Sequence, residues 1–350
     1  MSDVVVIGAG IAGASLAAEI AGSASVTILE AEAQPGYHST GRSAAFWSES
    51  YGGPMIRPLT TASGPLLAPW LRPRGAVHIA DAQGRGALEK LSADFPDLFD
   101  AMDRPALEGA IPGLRPGWDH GLAEPSCADI DVAGLHAACL KAARQGGAAL
   151  ITGAPMTAAT RGAGRWRIEA GGRSFEADVL VNAAGAWADE VAERAGAERI
   201  GIQPCRRTIA QLRTDPPAPE RLPLVIDASE RFYFKPEPGG RLWLSPHDET
   251  PCEPCDCAPE EIDVALAIDR FEDAVDWRVQ AVERKWAGLR SFAPDRLPVY
   301  GFAEPGFFWC AGQGGFGIQT APAAARLAAA LLLGRTPEID PAPYSALRFG

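Results

Sequence analysis

No run of apolar residues in this chain is long enough to cross a bilayer. The nearest approach, Ala321–Leu333, is interrupted by Pro322 and Arg326, whereas a spanning helix needs about 20 predominantly apolar residues. The first apolar run starts at Val4 with no basic flank before it, so no secretory leader is expected and a cytoplasmic address is. Positive charge is also short. The 32 Lys and Arg stand against 44 Asp and Glu, a net charge of −12. With no stripe of interleaved basic and aromatic residues, that balance argues against nucleic acid or an anionic membrane as a partner. Internal repeats and low-complexity segments are lacking too. The seven cysteines are expected as thiols in a reducing compartment. Cys252, Cys255 and Cys257 cluster in TPCEPCDCAP, but no matching second pair follows, so the cluster reads as a Pro-rich surface loop without a metal.

What is present begins at the N-terminus. Val4–Ile7 is a short β-branched run, as suits a strand buried on both faces. Gly8-Ala9-Gly10-Ile11-Ala12-Gly13 follows with the spacing G-x-G-x-x-G. Gly8 permits a tight turn, Gly10 clears the approach of a pyrophosphate, and Gly13 lets a helix pack closely on the strand. Ala12, Leu16 and Ile20 then stack on one helical face. The N-terminus of that helix favours an anion held above the turn. Val26–Leu29 reads as a second strand, and Glu30 ends it where a carboxylate can accept from ribose hydroxyls. Strand, triplet, helix, strand and acid in this order point to an adenine dinucleotide, NAD or FAD, against a merely structural turn. At 350 residues the chain exceeds one typical core, so two closely packed domains are expected.

Further along, Pro35–Ala45 is a loop of small and hydroxyl residues containing Thr40, Gly41, Arg42, Ser43, Ala44 and Ala45. Such a loop either lies against a flat ring, with Arg42 or its hydroxyls on phosphate or ribitol, or is a solvated turn. From Phe46 to about Ser126 prolines break the βα pattern, as at the start of a second domain. Asp131 is placed to cap a helix Val132–Gln145 that Gly146-Gly147 closes. Ala148–Thr152 returns to the first sheet. Trp166–Ala170 and Arg173–Ala177 flank Gly171-Gly172, which predicts a hairpin with a primed turn. Val179–Asn182 is another buried strand, and Ala183, Ala184, Gly185 and Trp187 follow it, small residues suited to close cofactor approach. Thr208–Leu212, Phe232–Lys235 and Arg241–Ser245 read as strands of the second domain, and Phe307–Ala311 as a last strand of the first. Gly312–Gly317 and a helix through Leu333 then form a second glycine turn. Its helix dipole either faces a flavin ring or serves packing alone.

The stretches VVVIGAGIAGAS, QPGYHSTGRSAA, VNAAGAWAD, FYFKP, WAGLRSF and FFWCAGQGGFGIQT together resemble the D-amino-acid oxidase-like family of FAD enzymes over essentially the whole chain, with a leaning to its D-arginine dehydrogenase branch. The resemblance implies an α/β fold, a Rossmann-like FAD-binding domain beside a mainly antiparallel β-sheet substrate domain. The expected division assigns 1–50, 127–203 and 286–350 to FAD and 51–126 and 204–285 to substrate. It adds Ala31, Met156, Gly288, Arg290, Gly314, Gly315, Gly317, Ile318, Gln319 and Thr320 to the cofactor contacts. Arg290-Ser291-Phe292 stands where some branches carry a linking cysteine, so FAD is expected to be noncovalent, and Cys310 reads as a packed residue.

The implied reaction oxidises the C–N bond of a D-amino acid by hydride transfer to flavin N5, the imine hydrolysing to a 2-oxo acid. Arg207 and Arg290 would bind the substrate carboxylate, Tyr233 would hydrogen-bond it, and Tyr51 would lie over it. A guanidinium fork suits a carboxylate. Arg206 and Arg207 face opposite ways on a strand, so one of them is expected in the site. The D-arginine branch has a histidine at the position of Phe46 and, for the substrate guanidinium, a glutamate at that of Ala76. Phe46, Trp47, Ala76 and Gly315 are therefore expected to line a pocket for uncharged or apolar side chains, with Glu49 a substitute acid if basic ones enter. None of His38, His78, His120, His136 and His247 takes a catalytic role. Oxygen and a quinone both stay open as electron acceptor. Two other readings stand beside this one: an oxidase of glycine or an N-methyl amino acid, and a non-catalytic flavin-binding redox protein.

Overall fold

The computed structural model describes residues 2–349. Its first sheet has six strands in the order Val299–Glu304, Phe307–Ala311, Val179–Asn182, Asp3–Ile7, Ser25–Leu29 and Ala149–Ile151. All pairs are parallel except the edge pair of Val299–Glu304 with Phe307–Ala311. The alternation of side chains explains why the central strand is apolar throughout. Val4 and Val6 pack with Leu16, Ile20 and the last helix, Gly317–Leu332. Val5 and Ile7 pack on the opposite face against Trp166 and Ile168. Those two belong to a small antiparallel sheet, Met156–Gly162, Arg165–Ala170 and Arg173–Ala177, which covers that face. Its predicted hairpin turn is present, with Gly171 at φ +54° and Gly172 at +70°, the left-handed backbone a primed turn requires.

The helix Val132–Gln145 has the bounds its sequence pattern predicts, and the Asp131 side chain accepts from Gly134 N–H at 2.9 Å. It packs beside the helix Ile11–Ile20. Registers matter more than lengths here. Ile7 pairs with both Leu29 and Asn182, so three strands end level and Gly8, Glu30 and Ala183 open onto one crevice at their carboxyl ends.

The second domain is a ten-stranded, mainly antiparallel sheet. One face takes the helix Glu261–Ala274 through Phe271, Phe232, Phe234, Leu242 and Leu244. The other carries Ile209, Tyr233, Trp243 and Trp286 toward the first domain, where Ala44 meets them. Two long strands, Gln203–Asp215 and Arg278–Phe292, run antiparallel from Gln203↔Phe292 to Asp215↔Arg278. This moves the expected division. The boundary at 285/286 falls inside one strand, and residues 286–292 pair with the substrate sheet. WAGLRSF gave no alternating pattern to reveal that pairing, because its inward residues, Trp286, Gly288 and Arg290, share no common polarity. Phe46–Trp47, Ala128–Ile130 and Leu71–Pro73 form a three-stranded sheet of their own. Among the described residues no helix is long and apolar enough to cross a membrane.

Candidate active site

The turn after Asp3–Ile7 is built by contact. Gly8 has φ +103°, and a Cβ there would lie 2.5 Å from the Ala183 carbonyl oxygen. A Cβ on Gly13 would lie 2.0 Å from the Gly8 carbonyl oxygen, so these two glycines let strand and helix meet. Gly10 is different: only Thr40 Oγ1 lies near its missing side chain, and the residue faces the open crevice. Thr40 Oγ1 accepts from Ile11 N–H at 3.0 Å, while Ala12 and Gly13 N–H sit in the first turn without intrahelical partners. Glu30 is buried, accepting from Ala9 N–H at 2.7 Å through Oε2 and from Glu32 N–H at 2.9 Å through Oε1. His136 supports the turn from below, its Nε2 donating to the Ala9 carbonyl at 2.8 Å.

A cleft of about 440 Å³ runs from this turn to the substrate sheet, within the size usual for ligand sites. Gly8, Gly10, Ile11, Ala12, Glu30 and Ala31 line its nucleotide end. Ser43, Ala44, Ala45, Met156, Ala183, Ala184, Gly185 and Trp187 line its middle, and Gly288, Gly314, Gly317, Ile318 and Gln319 follow. The donor set fits a dinucleotide: a free helix N-terminus for phosphate, a buried acid for ribose, and small residues for a flat ring. None of the seven cysteines lines the cleft. Cys310 is packed, and burial pushes its thiol up to about 12.

Several expected contacts are corrected. Gly13 lies beneath Gly8 and Gly41 folds back on the Gly36 carbonyl, so neither reaches the cleft. Thr320 spends its hydroxyl on the Phe316 carbonyl at 2.8 Å. Arg42 borders the cleft, but its guanidinium pairs with Asp256 and donates to the Ala287 and Cys257 carbonyls. Its charge therefore ties down the cysteine loop. Gln319 is committed as well: Oε1 accepts from Ser48 N–H, and Nε2 donates to the Tyr51 carbonyl and Thr60 Oγ1.

At the far end Tyr51, Arg207, Tyr233, Arg290, Phe46 and Gly315 converge on the same cleft. Arg206 and Arg207 do face opposite ways. Arg206 pairs with Glu260 and Asp263, while buried Arg207 turns inward. Phe46 stands 5.2 Å from Tyr51 and 6.1 Å from Tyr233, ring to ring. Burial raises the Tyr233 phenol pKa, keeping it a donor at neutral pH. A Cβ on Gly315 would lie 1.9 Å from Arg290 Nη2 and 2.4 Å from Tyr51 Oη. Only a glycine lets both groups come this close to the backbone.

Trp47 and Ala76 do not line the site. Trp47 points the other way from Phe46 and donates to the Thr60 carbonyl at 2.9 Å, as strand alternation requires. Ala76 is buried among Ile226, Leu224 and Tyr233. Glu49 is turned away too, accepting from Thr61 and lying 3.9 Å from Arg57.

Sequence reasoning missed one acid. Glu249 Oε1 accepts from Arg290 Nη1 at 2.8 Å and from Arg207 Nη2 at 3.3 Å, and its Oε2 from Arg296 Nη2 at 2.7 Å. Burial, joined by the like charge of Arg296, draws Arg290 down to about 9, so the group is a cation at neutral pH. His247, beside it in sequence, stacks edge-on to Tyr233 at 5.5 Å. Burial and then the Arg207 charge draw its pKa down to about 3, so the ring is neutral.

The family described as DAO, FAD dependent oxidoreductase, matches residues 3–331. The chain belongs to that family. It is thus an FAD-dependent oxidoreductase, and FAD is the dinucleotide of the cleft. Among its relatives is hydrogen cyanide synthase subunit HcnC of Pseudomonas aeruginosa, 29% identical over 77% of this chain and 66% of that protein. A glycine oxidase of the same organism is 32% identical over 48% of this chain and 45% of that protein. The chain thus spans less than two thirds of the length of either relative. These relatives replace the expected leaning to the D-arginine dehydrogenase branch. In fold it is similar to glycine oxidase from Geobacillus kaustophilus, with a TM-score of 0.85 at 23% identity over 99% of this chain and 98% of that one. L-proline dehydrogenase from P. horikoshii gives 0.86 at 20% identity, over 99% and 97%.

Proposed function

We propose that the chain oxidises the C–N bond of a D-amino acid with an uncharged, apolar side chain. The observation that carries this is the convergence of two buried guanidiniums, Arg207 and Arg290, with Tyr51 and Tyr233 at the end of the FAD cleft. Two cations and two phenols on one small space suit a carboxylate, since charge-assisted bonds in a desolvated site are strong. FAD, when bound, supplies the two-electron acceptor. Arg207 and Arg290 hold the carboxylate, and with the side chain against Phe46 that leaves one face of the α-carbon toward the ring. Tyr233 adds a donor, and Phe46 and Ile209 exclude water beside the side chain. Oxidising a neutral amine by hydride loss needs no base on carbon, which agrees with His247, packed on Tyr233, being kept neutral and off the cleft.

The side-chain preference now rests on Phe46 and on charge rather than on Ala76. Glu249 is bound to three guanidiniums, Arg207, Arg290 and Arg296, and Glu49 points away, so a substrate guanidinium would meet no free acid. An unpaired buried charge is costly. A second reading, oxidation of glycine or an N-methyl glycine, draws on relatives named glycine oxidase and dimethylglycine dehydrogenase. Steady-state kcat/KM for D-leucine, D-methionine, D-phenylalanine, D-arginine, L-leucine, glycine and sarcosine separates them. The apolar D-amino acids should lead, each buried methylene contributing about 0.8 kcal/mol until the space is full. A lead of about tenfold for D-arginine, glycine or sarcosine overturns the side-chain assignment.

A further inference from the structure

The guanidinium pair already holds a carboxylate, and it is the protein's own. Glu249 Oε1 lies between Arg290 Nη1 and Arg207 Nη2, at 2.8 and 3.3 Å, and so takes up one donor of each guanidinium from the outer side of the pair. The backbone beneath it is fixed on both sides. Arg207 Nε donates to the Asp248 carbonyl at 2.7 Å, and Thr208 donates to the Asp248 carboxylate through both N–H and hydroxyl. Thr250 and Pro251 then pair with Arg206 and Cys205 as a short strand. The segment is therefore not a lid, and rotation of the Glu249 side chain is what could clear the pair.

That side chain has somewhere to go. It is 33% exposed while Arg290 is only 10%, so it stands at the outer edge of the pair. Its second oxygen is bonded to Arg296, whose side chain is 55% exposed at the rim. Rotation toward Arg296 keeps one ion pair while clearing the two inner guanidiniums. Staying in place alongside a second carboxylate would instead set two like charges on one site.

We propose that Glu249 is an internal competitor for the carboxylate subsite, a residue that sets how strongly a substrate must bind in order to enter. The substrate carboxylate replaces Glu249 on Arg207 and Arg290, and Glu249 retreats to Arg296. No covalent bond changes in this exchange. Because the acid is tethered, every ligand carboxylate binds against it, and the apparent affinity is lowered by the fraction of clamps that Glu249 occupies. Ligands with a second negative charge meet Glu249 at the rim and are further disfavoured. The proposal rests on the reading of Arg207 and Arg290 as the carboxylate clamp.

The test is calorimetric titration of the FAD-loaded protein with 4-methylpentanoate, which is D-leucine without its amine and cannot be oxidised. Glu249→Gln keeps the shape and removes the charge, and Glu249→Ala removes both. Each is expected to lower Kd about tenfold relative to wild type. Arg290→Met should raise Kd in the wild-type and Glu249→Gln backgrounds alike. A structural role for Glu249, holding Arg290 in place for the ligand, gives the opposite sign. Unchanged or weaker binding in both Glu249 variants, with Arg290→Met still weakening it, overturns the proposal and leaves the clamp intact. Binding that Arg290→Met does not change overturns the clamp reading and this proposal with it.

Discussion

Arg290 and Gly315 form one device at the scale of single residues. The guanidinium reaches its place only because position 315 has no Cβ, which would stand 1.9 Å from Nη2. Arg290→Met should lower kcat/KM for the best substrate by on the order of a hundredfold or more, since it removes a charge-assisted pair in a dry site. Kinetics unchanged from wild type would remove Arg290 from the clamp. Gly315→Ala should cost about tenfold in kcat/KM with little loss of stability, because the atoms it strikes are the ends of two flexible side chains, Arg290 and Tyr51. Melting temperature and kinetics measured together check this; a large fall in Tm with normal kinetics would contradict it. That Arg207, Arg290, Tyr51 and Tyr233 would meet at one cleft was implied by the family resemblance of the motifs around them. Glu249 was not, because its meeting with Arg290, 41 residues away, is made by the pairing of Thr250–Pro251 and Arg278–Phe292 with one strand. Trp47 was misplaced for a simpler reason: adjacent strand residues cannot share a face with Phe46.

At the scale of elements, the loop that presents Tyr51 is held by two residues from elsewhere. Gln319, in the first turn of the last helix, bonds the Tyr51 carbonyl and Ser48 N–H. Glu124, fully buried on the substrate sheet, accepts from Ser50 Oγ at 2.7 Å, Ser48 Oγ at 2.9 Å and Glu49 N–H at 2.8 Å. Burial works to raise the Glu124 pKa, but His78, 3.5 Å away, and the two serines hold it below its ordinary 4.5. A depressed carboxyl stabilises the fold above its unfolded pKa, and that contribution is lost as pH falls through the folded value. Acid unfolding followed downward from near neutral pH should show wild type losing its advantage over Glu124→Gln only below 4.5. At neutral pH the variant should be destabilised by about 2 kcal/mol, as for a broken buried network. An advantage that grows toward acid pH would contradict the assignment. The dinucleotide turn, the Asp131-capped helix and the Gly171-Gly172 hairpin were all legible, since each is specified by neighbours in sequence. This anchor was not, because nothing near Glu124 in sequence distinguishes it from a surface acid.

For the whole molecule, the carboxyl ends of the first sheet meet one face of the substrate sheet over one cleft, and the chain passes between the two sheets several times, one passage following Arg278–Phe292. That passage was the part of the domain plan the sequence concealed. This strand of 15 residues pairs along its length within the substrate sheet, and its inner end carries Gly288 and Arg290 to the cofactor cleft. Since no cysteine lines the cleft, acid precipitation of the purified yellow protein should release all its flavin to the supernatant. Colour retained in the pellet would mean a covalent link. The most direct test of the central claim is to mix the FAD-loaded protein with D-leucine without oxygen and follow the flavin absorbance. The account predicts that the oxidised flavin band bleaches within the first turnover, that L-leucine leaves it unchanged, and that Arg290→Met slows the bleaching on the order of a hundredfold. A band that no D-amino acid bleaches would contradict it.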